Sequence, residues 1–182
     1  NRSRRCSLWV ERTGDAGTTR VLIDTSPALR EQLLSVNVGR LDAVIYTHAH
    51  ADHVHGIDDL RMVVFNMRAR LPVWADAPTR DALLERFGYA FVQPAWSNYP
   101  PILDLNLIEG DVTISGAGGD ITFSPFEVAH GGMNALGFRI ADVAYLPDVA
   151  KIPEDVWPRL NGLDCWIVDA LRPTPHPSHA HL

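Results

Sequence analysis

Short apolar runs alternate with polar, glycine-rich and proline-rich segments along the chain, and this pattern predicts a mixed α/β fold. The clearest run, residues 41–46, contains Val44 and Ile45 and is typical of a short buried strand. Residues 6–11 and 20–23 flank a glycine-containing turn and predict a hairpin. Further strands are predicted at 72–75, 103–108, 111–114, 121–129, 134–140, 143–146 and 164–168, the last of them buried.

Apolar residues at helical spacing predict helices after residues 24–27, at 56–70, at 78–87 and at 153–160. The expected buried faces include Leu29, Leu33, Leu34 and Val36 in the first helix and Leu83 and Leu84 in the third. Met62 and Met67, in the second helix, are interpreted as core residues.

The length of 182 residues fits a single domain, residues 1–182, with a sizeable core. The net charge of -6 disfavours a nucleic-acid partner but permits a small anionic substrate. Cys6 and Cys165 lack metal-type spacing, and we interpret both as core residues without a disulfide. No apolar run is long enough to cross a membrane, and we expect a cytoplasmic protein.

Three histidines and a carboxylate lie in the seven residues after the 41–46 strand: His48, His50, Asp52 and His53. Polar groups at strand ends in α/β proteins often share a ligand site. Imidazole and carboxylate ligands suit zinc, manganese or iron better than calcium. The spacing suits two neighbouring metals better than one.

Other polar side chains also follow predicted strands. Asp24 has two interpretations that are not exclusive: it caps a helix, or it orients a metal-bound histidine from outside the ligand shell. Arg61 either pairs with an acid or reaches a substrate phosphate. The aromatic, proline-rich stretch 89–101 is a packed loop, a wall or lid of a pocket, or a contact in a homodimer.

The motif from His48 to His53, followed by Gly56, resembles the metal motif of the metallo-β-lactamase-fold hydrolases. Residues 57–61 make the sequence similar to the branch of this family that contains the cyclic phosphodiesterases of the carbon–phosphorus lyase pathway. The resemblance implies an α/β fold of the αββα sandwich type. It also implies two bound divalent metals, with zinc as the first candidate and manganese or iron as alternatives. In the family pattern His130 completes the ligand set of the first metal, and Asp148 bridges both metals.

In that family a metal-activated hydroxide cleaves a small, often cyclic, phosphodiester. The resemblance gives Asp52 a place at the reaction centre and makes a histidine of the C-terminal segment the general acid. By its position we expect His179 in this role, with His176 as the competing choice.

This sequence departs from the family pattern at both ends. The usual first strand and the last helix and strand are missing, so we expect a fragment or core of a longer chain. Without the family's last histidine the second metal would rest on Asp52, His53 and Asp148, and its occupancy is open. His181 or a water molecule would complete the ligand set of the second metal.

Proteins with three other functions are alternatives that would fit the same motif. A tRNA 3′-processing nuclease would need a basic arm, which this sequence lacks. An acyl-ester, lactone or thioester hydrolase is the second alternative, and a non-catalytic metal-binding scaffold is the third.

Overall fold

Two five-stranded sheets, with helices, make up the part of the chain that this computed structural model describes, residues 5–181. The mixed α/β class predicted from the sequence is therefore confirmed. The chain divides into two compact units. The first contains the residues up to Glu109 together with Ile114–Asp120, and the second contains Gly110–Thr113 and the residues from Ile121 onward.

The sheet of the first unit has the order β1-β2-β3-β4-β5, in which β1 and β2 form an antiparallel hairpin and the remaining pairs are parallel. Its strand β3 is buried along its whole length, as a central parallel strand should be. The elements are β1 (Leu8–Gly14), β2 (Gly17–Ile23), α1 (Leu29–Ser35), β3 (Ala43–Ile45), α2 (Ala51–Val54), a 3-10 helix (Ile57–Asp59), α3 (Leu60–Met67), β4 (Leu71–Ala75), α4 (Ala77–Phe91) and β5 (Leu103–Leu107).

The helix α4 is longer than the sequence pattern predicted. Its first turn is capped by Asp76, whose side chain accepts a hydrogen bond from the Thr79 amide. The backbone leaves helical geometry at Phe87, and the helix then continues to Phe91. Tyr89 and Phe91 are thus helical, and the aromatic loop begins only after them.

The sheet of the second unit has the order β10-β9-β8-β7-β6. Strand β8 pairs antiparallel with both β7 and β9, whereas β9 and β10 are parallel. Phe126, Val128 and Leu146 belong to its apolar core. The elements are β6 (Val112–Ile114), β7 (Ile121–His130), β8 (Met133–Ile140), β9 (Val143–Leu146), a 3-10 helix (Trp157–Leu160) and β10 (Cys165–Val168).

Several burial predictions are wrong, because helical or strand spacing shows which residues share a face but not what covers that face. The strand β10 is exposed rather than buried, and Cys165 with it. Cys6 is only partly buried. Leu34, Val36, Met62 and Leu84 are exposed as well. Within residues 5–181, no helix has the length and apolar character needed to span a membrane.

Candidate metal centre

Two parallel strands bring the first group of polar residues to one edge of the first sheet. Strands β2 and β3 pair with Ile23 opposite Ile45, so their carboxyl ends lie side by side. Asp24 directly follows β2, and the segment that carries Thr47 and His48 follows β3. All three side chains are fully buried. Asp24 adopts a φ of 62°, a left-handed conformation that aspartate tolerates better than most residues.

The Asp24 carboxylate organises this group through hydrogen bonds. Its Oδ1 accepts from the Thr47 amide, and its Oδ2 accepts from the Thr47 hydroxyl and from His53 Nδ1, each at 2.8 Å. Since Thr47 Oγ1 donates its proton to Asp24, it acts as acceptor for His48 Nδ1 at 3.0 Å. Both imidazoles therefore carry their proton on Nδ1, and Nε2 is the nitrogen with the available lone pair.

The other residues of the motif lie beside these two histidines. The ring of His48 is 4.7 Å from that of His50 and 4.2 Å from that of His53, measured between centroids. Asp52 is exposed in the single turn of α2, and its Oδ2 is 3.6 Å from His53 Nε2. The structure thus brings all four predicted residues of the motif together within the first unit.

The second unit repeats this arrangement at the ends of its own parallel strands. Leu146 at the end of β9 is opposite Val168 at the end of β10, and a carboxylate follows each: Asp148 and Asp169. His130, the last residue of β7, has Nε2 at 3.5 Å from Asp148 Oδ2. His130 and Asp148 are both buried.

The C-terminal segment is attached to this cluster by two histidines. His130 Nδ1 donates to the backbone carbonyl of Ser178 at 2.6 Å, which again leaves Nε2 as the basic nitrogen. His179 Nδ1 lies 2.6 Å from Asp169 Oδ2 and 3.7 Å from Asp148 Oδ1. One ligand atom from each of Asp148, Asp169 and His179 lies within 4.8 Å of the others, a spacing that could hold a metal ion.

His176, the competing choice for the general acid, has a different environment. Its Nδ1 lies 3.3 Å from the Ser178 amide, which can only donate to it. Its ring centroid lies 5.0 Å from that of His179. Desolvation, followed by the positive charges of Arg172 and His179, lowers the pKa of His176.

Two predictions from the sequence can be compared with these contacts. Asp24 contacts Thr47 and His53 and does not cap α1, whose N-cap residue is Ala28 and has no side-chain cap. Arg61 forms a long ion pair of 3.9 Å with Asp58.

Asp169 received no role from the sequence. The signal that could have identified it is its position as a carboxylate directly after an apolar strand. His181 is exposed and forms an isolated bridge with Arg172.

Comparison with known proteins identifies the family. Residues 19–182 match the β-lactamase superfamily domain. The chain belongs to the metallo-β-lactamase superfamily. A solved structure described as a new diphosphatase from the PhnP family is 36% identical, with a TM-score of 0.78 over 90% of this chain and 61% of that one. This similarity agrees with the branch indicated by the sequence motifs.

Two curated relatives extend the comparison. An octanoyltransferase from Porphyromonas gingivalis is 36% identical over 168 residues, which are 91% of this chain but 32% of that protein. A ribonuclease Z from a Bradyrhizobium species is 29% identical over 136 residues, or 71% of this chain and 42% of the relative. The chain therefore spans less than half the length of these curated relatives.

The metallo-β-lactamase fold implies bound divalent metal, and the residues present fit that requirement. Each cluster offers imidazole nitrogen together with carboxylate oxygen, a donor set that suits zinc, manganese or iron. His48, His53 and His130 each have Nδ1 hydrogen-bonded to an oxygen, which is the usual arrangement of a metal-binding histidine.

Proposed function

We propose that this protein is a metal-dependent phosphodiesterase that cleaves a small, often cyclic, phosphodiester. The observation that carries the proposal is the hydrogen bonding that presents Nε2 of His48, His53 and His130 as the basic nitrogen. The 36% identity to a PhnP-family diphosphatase supports a phosphorus ester or anhydride as substrate. The mildly acidic net charge of -6 favours a small substrate over a polynucleotide.

The proposed metal ligands are the six residues of the sequence prediction. Following the family pattern, His48, His50 and His130 would supply ligands for one metal, Asp52 and His53 would supply ligands for the second, and Asp148 would contribute its carboxylate to both. When bound, such a metal pair supplies Lewis-acid activation of a water molecule and of a phosphoryl oxygen. Zinc is the first candidate, with manganese or iron as alternatives.

The chain itself fixes the geometry of these ligands. Asp24 accepts hydrogen bonds from His53 Nδ1 and from the Thr47 hydroxyl, whose oxygen accepts from His48 Nδ1. One buried carboxylate thus keeps two rings in the tautomer that binds metal. In the second unit the Ser178 carbonyl does the same for His130. The segment that carries His179 is therefore attached to a proposed ligand.

We assign the general-acid role to His179. Its Nδ1 is hydrogen-bonded to Asp169, which orients the ring and leaves Nε2 for proton transfer to the leaving oxygen. A side chain that is 21% exposed can still reach a substrate. His176 fits the role less well, because its Nδ1 accepts from the Ser178 amide instead of donating to a carboxylate.

A substrate panel with metal analysis tests the proposal. We expect the zinc-loaded protein to hydrolyse bis(p-nitrophenyl) phosphate and a ribose cyclic phosphate faster than a lactone or a thioester. Asp148→Ala should lose bound metal and diesterase activity together. Full turnover by Asp148→Ala, or a preference for the lactone or thioester, would overturn the assignment.

The ribonuclease Z match supports a second candidate, a nuclease acting on RNA. A precursor tRNA in the same panel separates the two functions. Cleavage of the RNA at a higher kcat/KM than that of the small diesters would replace our first proposal with this one.

A further inference from the structure

An open cavity lined by aromatic rings lies in the first unit, outside the metal motif. It has a volume of about 470 Å³, in the range of small-molecule sites. Four aromatic side chains line it, Phe65, Tyr89, Trp96 and Tyr99, together with one cation, Arg61. Trp96 is 85% exposed and Tyr99 is 77% exposed, so two large rings present their surfaces to solvent.

The walls of this aromatic cavity are held by the chain's own hydrogen bonds. The Tyr89 hydroxyl donates to Asp58 Oδ2 at 2.6 Å, which joins α4 to the 3-10 helix before α3. In the loop after α4, the Ser97 amide donates to the Pro94 carbonyl and the Tyr99 amide to Ser97 Oγ. The Tyr89 ring and the backbone that carries Trp96 and Tyr99 are thus fixed before a ligand binds, which reduces the entropy lost on binding.

The same helix connects the cavity to the metal motif. Arg86, one turn before Tyr89 on α4, donates from Nη1 to the Ala49 carbonyl at 2.6 Å. The ring of Phe87 lies 5.8 Å from that of His55, again between centroids. Helix α4 therefore contributes Tyr89 to the aromatic cavity and also contacts the loop that carries the metal motif.

The lining indicates one kind of ligand. Exposed aromatic faces bind flat rings by stacking, and this is the usual way in which proteins hold nucleobases without reading their sequence. A guanidinium at the wall adds attraction for an anion, and the ion pair between Arg61 and Asp58 is long, at 3.9 Å. A flat ring joined to a phosphate satisfies both features.

We propose that the aromatic cavity binds the base of a nucleotide-type substrate, with Arg61 facing its phosphate. This inference rests on the proposed phosphodiesterase function and narrows its substrate class from any small diester to one that carries a heteroaromatic ring. Stacking of one base on an aromatic side chain contributes about 1–3 kcal/mol, or roughly 5- to 150-fold in affinity.

Calorimetric titration of the zinc-loaded protein with AMP and with ribose 5-phosphate tests the cavity. AMP should bind more tightly, and Trp96→Ala should weaken AMP binding by roughly 5- to 150-fold while leaving ribose 5-phosphate unchanged. Trp157→Ala, which removes another exposed tryptophan in the second unit, is the matched control and should change neither. Arg61→Gln should weaken AMP but not adenosine.

Equal affinity of the wild type for AMP and ribose 5-phosphate, or unchanged AMP affinity in Trp96→Ala, would overturn the inference. Sedimentation analysis adds another way to refute it: a wild-type dimer that Trp96→Ala converts to monomer, with AMP binding unaffected, would make the cavity an interface. Tryptophan-dependent AMP binding without diesterase activity would refute only the proposed function. Diesterase activity without such binding would refute only the cavity assignment.

Discussion

Replacing Asp24 with asparagine should weaken metal binding without unfolding the protein. Asparagine matches the carboxylate in shape and tolerates the φ of 62°. Its Oδ1 can still accept from the Thr47 amide, but an NH₂ group would replace the Oδ2 acceptor of Thr47 and His53. The hydrogen bonds then reverse direction, so His53 and, through Thr47, His48 would place their protons on Nε2.

The size of the effect follows from what metal binding would then require. Coordination through Nε2 returns the proton of His53 to Nδ1, where it faces the asparagine NH₂ instead of an acceptor. The Thr47 hydroxyl also loses its acceptor. Each buried donor without a partner costs about 1–3 kcal/mol, so two cost about 2–6 kcal/mol. Even about 2 kcal/mol corresponds to roughly 30-fold weaker binding.

The measurement is a zinc titration against a chromophoric chelator, with a thermal melt of the metal-free protein beside it. Asp15→Asn changes an exposed aspartate in the turn between β1 and β2 and serves as the control, with wild-type affinity expected. A folded Asp24→Asn protein that binds zinc within twofold of wild type would refute the tautomer reasoning.

Three further predictions address other parts of the chain. Gly131→Ala should lower the free energy of unfolding in a denaturant titration by at least about 1–2 kcal/mol, because φ is +64° and the new Cβ would lie 2.8 Å from a neighbouring Cβ. Gly132→Ala, with no atom within 4 Å of its Cβ, should be neutral; equal losses would contradict this explanation. Burial and the bond to Asp58 raise the pKa of Tyr89 to about 12, so its neutral form is favoured by folding. That contribution is present below pH about 10 and lost towards pH about 12. Between pH about 10 and about 12, the free energy of unfolding of Tyr89→Phe should therefore fall less than that of wild type. Parallel profiles of unfolding free energy against pH would contradict this prediction. His179→Ala should lower kcat for bis(p-nitrophenyl) phosphate with zinc content unchanged, and metal loss would instead make it a ligand.

The sequence alone predicted the fold class, the positions of most strands along the chain and four of the candidate metal ligands. The reason is local: the buried strand β3 and the motif from His48 to His53 are contiguous in the chain, and apolar runs with dense imidazole and carboxylate groups are visible without any tertiary contact. His130 and Asp148 were added by resemblance to a family, since a lone histidine or aspartate after a strand carries little information by itself.

Only the tertiary structure decided how these groups are oriented and what covers each face. The pairing of β2 with β3 puts Asp24 against Thr47 and His53, and the pairing of β9 with β10 puts Asp169 beside His179. These partners are separated by up to 29 residues, and side-chain periodicity contains no information about such distances. The exposure of β10 was missed for the same reason. Hydrogen-bond direction, and with it the histidine tautomer, depends on which acceptor lies opposite each ring, and only folding brings the two together.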